Sequence, residues 1–419
     1  MAVSAAAKAP KMGVPKMGVP KMGVPKMGVP KMGGSKRAAP KTGAPPKAGL
    51  SYDTKLLFCV LFLVGVGIVM VFSSSSALAL KQYDTSYYFL KRQTLFSLLG
   101  ICALVVLSHV PYRLYRLLTY PILLAAIVLL LMVQFSGLGV SAGGARRWLD
   151  LGAFSFQPSE LARLALVIYL AYSLSKKQAQ IRRLSVGFVP HVLVLGIFTA
   201  LLLAQPDFGS VVIFATITWF LMFVGGVPLR WLIGFLLPLV PLGYFYMMAA
   251  PYRVRRLLSF LDPWQYPADA GYQTIHSLMA FGSGGIVGTG IGKGVQKLFY
   301  LPESHTDFIF SVIGEELGLV GVWFIIALYA VLFWRGVRIA RTCEDPFGAL
   351  LAIGITISIG LQVVINMGVT LGLLPTKGLT LPFLSYGGTS LLLNMGAIGI
   401  LMNIAMTKRR GGGDRVRRR

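Results

Sequence analysis

Leu301-Pro302-Glu303-Ser304-His305-Thr306-Asp307-Phe308-Ile309-Phe310-Ser311 is the stretch where a polar loop gives way to an apolar helix. Pro302 and Ser304 favour a turn, and Thr306 is placed to cap the first helical turn. Asp307 then sits at a membrane–water boundary, at the positive end of the helix dipole. An acid in that position is either a cap or a working group.

Working outward, the 419 residues are 55% hydrophobic and only 13% charged, against about 25% charged in a soluble domain. Apolar runs cover 55–77, 94–110, 117–134, 158–175, 187–204, 208–226, 230–248, 308–334, 348–373 and 382–406. Each is close to the roughly 20 residues needed to cross a bilayer. The expected fold class is an all-α polytopic membrane protein with about ten transmembrane helices. The alternating segments that a β-barrel requires are absent from the sequence. Lys and Arg concentrate in one set of loops, among them Arg113, Lys176, Arg182, Arg230 and Arg338, and in both tails. That side is expected to be cytoplasmic, with both termini inside and the longest loop, 249–307, outside before the eighth span. The first span is long and no small-residue cleavage site follows it, so it is not a removable signal.

The net charge of +26 is unevenly placed. Residues 1–50 hold nine Lys, Arg37 and no acid, and residues 408–419 add six Arg and Lys408 against Asp414. Within the first tail, Lys-Met-Gly-Val-Pro repeats over 10–33, and Gly and Pro in every unit forbid helix or sheet. The organisation expected is a disordered basic repeat tail (1–50), a membrane domain (51–407) and a basic cytoplasmic tail (408–419). Basic tails beside a membrane suit anionic lipid headgroups. Nucleic acid is not expected as a partner, since no stacking aromatics interleave with the charges. Cys59, Cys102 and Cys343 are scattered and read as small apolar fillers.

Several outer loops carry cations on the face where few are expected. Loop 135–157 contains Gly143-Gly144-Ala145-Arg146-Arg147-Trp148-Leu149-Asp150, then Gln157-Pro158-Ser159-Glu160 opens span four with Pro158 at a first helical position. Glu160 and Arg163 share a helix face and form either a helix-locking ion pair or a substrate contact. Gln205-Pro206-Asp207 is a tight turn, and Asp207 caps span six or meets substrate. The outer loop 78–93 is aromatic, with Tyr83, Tyr87, Tyr88 and Phe89. Loop 249–307 holds Arg253, Arg255, Arg256, Lys293 and Lys297, and 272–281 is expected to form a short interfacial helix. The glycine-rich run 282–292 follows no strand, so it is read as backbone folding closely against helices or a lipid-linked substrate, not as a nucleotide loop. The last outer loop, Pro375 to Ser390, adds Lys377 and breaks its apolar run with prolines and glycines. No HExxH pair and no G-x-S-x-G elbow is present. Acids and cations together at one membrane face suit an anionic, lipid-anchored substrate, with cations steadying a phosphate leaving group and an acid removing a proton.

The run Gln296 to Phe310 and Gly314-Glu315-Glu316-Leu317-Gly318 closely resemble the SEDS family (shape, elongation, division and sporulation), as do Arg147-Trp148-Leu149-Asp150, Gln157-Pro158-Ser159-Glu160 and Gln205-Pro206-Asp207-Phe208-Gly209. Pro375 to Gly388 looks most like its cell-division branch. The resemblance covers about 51–407. It implies a ten-span peptidoglycan glycosyltransferase that polymerises lipid II on the outer leaflet of the cytoplasmic membrane, at the division septum. Asp307 matches the family's essential loop aspartate and is the candidate catalytic base. Arg147, Trp148, Gln157, Ser159, Glu160, Arg163, Asp207, Glu303, His305, Lys377, Ser385 and Tyr386 are the candidate substrate-binding residues. No organic cofactor is expected; a divalent cation, magnesium or manganese, is implied, with its ligands open. Implied partners are lipid II, the growing glycan strand, membrane lipids, a class B penicillin-binding protein and other division proteins. Arg163 stands where Lys is usual, His276 where Gln is usual and Thr389 where Ser is usual. A lipid II flippase and a division scaffold are the competing readings; a flippase should show paired internal repeats, and none is seen.

Removing residues 1–45 is expected to leave glycan synthesis intact and to weaken binding to anionic vesicles, which sedimentation with and without acidic lipid measures. Loss of catalysis in that truncation would assign the tail another role.

Overall fold

In hydrocarbon a backbone satisfies its own N–H and C=O groups only by closing on itself, most simply as a helix. Each of the ten apolar segments is helical in the computed structural model, which describes residues 53–137, 139–142, 145–150, 152, 155–269 and 271–416. The repeat tail over 1–50, Gly143-Gly144 and the end of the C-terminal tail lie outside the described residues. The helices are α1 (Thr54–Tyr83), α2 (Tyr88–His109), the short α3 (Arg113–Leu117), α4 (Thr119–Phe135), α5 (Pro158–Lys176), the single turn α6 (Leu184–Gly187) and α7 (Val189–Ala204). They continue with α8 (Phe208–Val224), α9 (Leu229–Met248), α10 (Pro251–Leu261), α11 (Tyr272–Gly284), α12 (Ile309–Thr342), α13 (Pro346–Thr370) and α14 (Gly388–Val416). Among the described residues seven helical runs are long and apolar enough to cross a membrane, and Thr119–Phe135 and Phe208–Val224 are shorter apolar helices. The chain is a multi-pass helical membrane protein.

The centre is built from α5, α13 and α14. α13 packs on α5, α8, α12 and α14, and α14 lies along α2. The α2–α14 contact is close because Gly399 has no side chain: a Cβ there would sit 2.6 Å from the Leu104 carbonyl oxygen. At the periphery, Leu232 is the one buried residue of α9.

α12 is not continuous. Gly318 breaks it at φ 64°. The helix bonds that Leu319 and Val320 would make to Glu315 and Glu316 are replaced from outside. Leu319 N donates to Gly285 O (3.0 Å) and Val320 N to Ile286 O (3.1 Å). In return, Thr289 N donates to Glu315 O (3.0 Å) and Gly290 N to Glu316 O (3.0 Å). The glycine-rich run does fold closely against a helix: a Cβ would lie 2.0 Å from Gly314 O at Gly284 and 2.2 Å from Glu316 O at Gly288.

Several expectations need correction. The loop before α5 is not helix or coil alone: β1 (Gly139–Ala142), β2 (Ala145–Asp150) and β3 (Ser155–Phe156) form an antiparallel three-stranded sheet in the order β1-β2-β3. Gly143-Gly144 between two short runs is the sequence signal for such a hairpin. The outer loop placed at 78–93 shrinks, because α1 extends to Tyr83 and α2 starts at Tyr88; Tyr83 and Tyr88 stack with ring centroids 3.7 Å apart. The expected short helix over 272–281 is present as α11, and it packs on α12 and α13 with Ser277 fully buried. Span ten starts at Gly388, not 382, because the backbone over 371–387 runs in turns with isolated bonds, such as Ser385 N to Leu381 O (3.0 Å), and no continuous helical ladder. Thr306 caps nothing: α12 opens at Ile309 with Phe308 as its N-cap and no side-chain cap.

Candidate active site

Asp307 thus stands two residues before α12, in a run of turns, rather than in a first helical turn. Its backbone is fixed by the loop that precedes α14. Asn366 of α13 donates through Nδ2 to Asp307 O (2.8 Å) and to Leu379 O. Ser385 Oγ donates to Thr306 O and accepts from Leu381 N at 2.7 Å. Tyr386 N donates to His305 O (2.9 Å). Two irregular segments therefore form one hydrogen-bonded layer above the helices. This is how a non-helical backbone is tolerated at membrane depth.

The same loop sets the surroundings of the carboxylate. Gly378 abuts it so closely that a Cβ would be 2.9 Å from Asp307 Oδ2. Its neighbour Lys377 runs across α8 over Gly209, where a Cβ would be 1.7 Å from Lys377 Cε. The Lys377 Nζ is buried and makes no hydrogen bond. Asp207 N-caps α8, accepting from Ser210 N (3.3 Å) and Ser210 Oγ (2.6 Å). Arg147 on β2 donates through Nη2 to Pro206 O (2.5 Å) and through Nε to Gln205 O (3.4 Å). Asp307, Lys377, Asp207 and Arg147 thus form one electrostatic group.

Burial pushes the Asp307 carboxyl up first, and Glu303 adds to it; Lys377 and Arg147 pull it down, and it settles at about 7. Burial pulls Lys377 down to about 8, with Asp207 raising it and Arg147 lowering it further. His305, buried against Phe89 with ring centroids 4.7 Å apart, is lowered by burial, against Glu303.

The remaining candidate residues divide. Glu160 and Arg163 form a buried pair at 2.7 Å, which Asn394, Gln362 and Ser390 complete from α14 and α13. That is the helix-locking arrangement. Glu303 is exposed, at φ 54°, and accepts from Thr306 Oγ1 at 2.7 Å. Ser385 has its hydroxyl committed to backbone on both sides. Ser159 is buried on α5, Gln157 precedes that helix without a side-chain cap bond, and Trp148 is half-buried on β2. Tyr386 packs on Phe89 and His305. Among the described residues no three His, Cys, Asp or Glu side chains converge to hold a metal ion. A magnesium or manganese ion would therefore rest on one or two carboxylates together with substrate phosphates, the usual manner for such ions.

Sequence reasoning missed a second buried cluster. Lys297, read as an outer-face cation, is paired with Glu316 of α12 at 2.5 Å, with the two side chains 6% and 0% exposed. Ser73 of α1 donates to both Glu316 oxygens (2.7 and 2.8 Å) and accepts from Lys297 Nζ (2.9 Å). Glu315 accepts from Val295 N (2.7 Å) and Gln296 N (3.2 Å). The segment leading to Asp307 is therefore clamped to α1 and α12. Two adjacent acids inside an apolar run were the available signal.

Residues 54–410 match the family of cell cycle proteins FtsW, RodA and SpoVE. The chain is 47% identical over 354 residues to a probable peptidoglycan glycosyltransferase FtsW of Geobacter metallireducens, covering 84% of this chain and 94% of the relative. It is 40% identical over 361 residues to the stage V sporulation protein E of Bacillus subtilis, covering 86% and 98%. Among solved structures it is similar to a chain of a peptidoglycan synthase complex, described for the coordination of polymerisation and crosslinking, with TM-score 0.71, 32% identity and coverage of 86% and 99%. It is also similar to the rod shape-determining protein RodA of Thermus thermophilus, with TM-score 0.63, 30% identity and coverage of 85% and 97%.

Lys297→Met leaves Glu316 charged and buried without its cation, which is expected to cost about 3 kcal/mol. The double variant Lys297→Met/Glu316→Met is expected to recover most of that loss. Thermal unfolding of the purified variants in detergent measures both. Equal stability of the single and double variants would show that the pair is not the clamp.

Proposed function

The chain belongs to the FtsW, RodA and SpoVE family of cell cycle proteins, and from that premise we propose that it joins lipid II units into glycan strands during septal wall synthesis. It is a glycosyltransferase that makes peptidoglycan. The observation that carries the finer reading is the Asp307 carboxyl, held near pKa 7 beside the buried ammonium of Lys377, which makes no hydrogen bond.

Glycosyl transfer needs a base for the attacking hydroxyl and a partner for the departing phosphate. A base works best when its pKa lies near the working pH, and Asp307 meets that condition. In the proposed step, Asp307 takes the proton of the acceptor sugar's 4-hydroxyl. The oxygen attacks the donor's anomeric carbon, and the polyprenyl pyrophosphate leaves from the opposite face with inversion. Arg147 and Lys377 stabilise the charge that develops on the pyrophosphate. Lys377 suits this role because no acid neutralises it directly: Asp207 accepts from the α8 start. Glu160 and Arg163 hold α5 against α13 and α14 beneath the site. The site is proposed to face the outside of the cytoplasmic membrane, with ten spans, both termini cytoplasmic, and a class B penicillin-binding protein crosslinking the product.

Asp307→Asn keeps the shape and cannot accept the proton. It is expected to insert normally and lose ~10²–10⁴-fold in lipid II polymerisation by purified protein. A near wild-type rate would move the base to Glu303 or Glu160.

Two ionisations bound the pH profile. Asp307 must be deprotonated, so the rate rises with pH through about 7. Lys377 must be protonated, so it falls as pH rises through about 8. The expected profile is a bell with its top between these values, both limbs belonging to the coupled pair. Lys377→Gln is expected to remove the alkaline limb, and both it and Arg147→Gln to weaken lipid II use without unfolding. Normal polymerisation by both variants across a range of lipid II concentrations would leave these cations a packing role only.

A further inference from the structure

Outside the Asp307 site, an open cleft of 450 Å³ lies between α10 and α11, with Tyr252, Arg255, Arg256, Asp269, Gln273 and Thr376 among its lining residues. Its volume falls in the range of small-molecule sites, roughly 300–1,000 Å³. Arg255 pairs with Asp269 at 3.5 Å, but both side chains are more than 60% exposed. Such a pair holds its partner weakly and exchanges it readily. Arg256 has no acidic partner among the described residues. Arg256 is therefore open to a carboxylate and Arg255 can exchange Asp269 for one, which their planar fork matches. Tyr252 is half exposed, with Arg253 at its hydroxyl and over its ring, and Gln273 and Thr376 add hydrogen-bonding groups to the lining.

Three consecutive residues join the cleft wall to the active site along the chain. Thr376 lines the cleft, Lys377 carries the buried ammonium without a hydrogen bond, and Gly378 abuts the Asp307 carboxylate. Two residues of extended chain reach at most about 7 Å, so the cleft wall and the base are neighbours. Cations, an aromatic face and amide or hydroxyl groups together suit a hydroxyl-rich chain that bears carboxylates.

Resting on the glycosyltransferase reading, we propose that this cleft holds the sugar-peptide portion of the growing strand, an anionic oligosaccharide, while its reacting end lies at Asp307. The arginines take the carboxylates of the peptide stems, Tyr252 packs on a sugar face, and Gln273 and Thr376 bond sugar hydroxyls. No covalent step occurs in the cleft. It retains the strand between additions.

The test uses the purified full chain and a soluble peptidoglycan tetrasaccharide that carries its peptide stems but no lipid and no phosphate. Arg255→Gln/Arg256→Gln is expected to weaken its binding about tenfold, the size of one charge-assisted hydrogen bond. Gln273→Ala, which keeps both charges, is expected to weaken it less. Both variants are expected to release shorter strands from lipid II. A second arm measures inorganic pyrophosphate, whose affinity the arginine variant should leave unchanged. Equal tetrasaccharide affinity in all three proteins, with wild-type strand lengths, overturns the proposal. So does a loss confined to pyrophosphate, or a loss confined to binding of a purified transpeptidase, which would make the cleft a partner surface. Wild-type protein that binds the tetrasaccharide through these residues but makes no polymer would count against the proposed reaction and for the cleft.

Discussion

Every backbone polar group at membrane depth must find a partner inside the protein, and the active region consists of the places where a helix does not supply it. At Gly318 the α12 ladder loses two bonds, and residues 285, 286, 289 and 290 replace them one for one. At 301–307 and 379–386 no helix exists at all, and the two segments bond to each other through Asn366, Ser385 and Tyr386 N. An unpaired buried backbone group costs about 1–3 kcal/mol. These exchanges are therefore not decoration: without them neither segment could stay among the helices. The irregular backbone frees Asp307 from the helix and lets Gly378 approach it.

The buried charges follow the same accounting. Glu160 faces Arg163. Glu316 faces Lys297 and Ser73. Glu315 accepts backbone N–H groups. Asp53 faces Arg335 at the other end of α12. Each of these pairs or bonds satisfies a charge and fixes an element, which is the ordinary use of a buried ion. Lys377 departs from the pattern, since its ammonium is buried without a hydrogen bond. A group left in that condition is costly unless something external completes it; in the proposed reaction a pyrophosphate oxygen does so.

Much of this was legible in the sequence. Helix placement follows from apolar length alone, and Asp307, Lys377, Arg147 and Asp207 stand out as charges at one face. Asp207 and Glu160–Arg163 were readable as both cap or lock and substrate contact, and the fold realises the cap and the lock. What the sequence hid depends on contacts far apart in the chain. Lys297 reads as one more loop cation until Ser73 and Glu316 close around it from 224 and 19 residues away. The break at Gly318 is hidden because glycine is common in membrane helices and only its partner loop reveals the missing ladder. Thr306 had the residue type of a cap, but the competing turn to Glu303 took its hydroxyl.

The basicity of the Asp307 carboxylate comes down to which of two opposed effects is larger. Two cations act on Asp307, and each lowers its pKa; burial and Glu303 raise it. Had the cations won, the carboxylate would be a weak base, ionised at every physiological pH and poorly suited to take a hydroxyl proton. Moving from an ordinary 3.8 to about 7 means that ionisation is disfavoured by about 4 kcal/mol relative to water. That energy is stored in the fold, and it is returned when the carboxylate accepts a proton. The cations keep the shift from going further, to a carboxyl that would stay protonated at neutral pH. Gly378 and Gly209 set this balance by geometry: the first brings the loop against the carboxylate, the second lets the Lys377 stem cross α8. A methyl group at Gly378 would meet the Asp307 carboxylate and one at Gly209 the end of the Lys377 side chain, so either would move one member of this charged group from its present position.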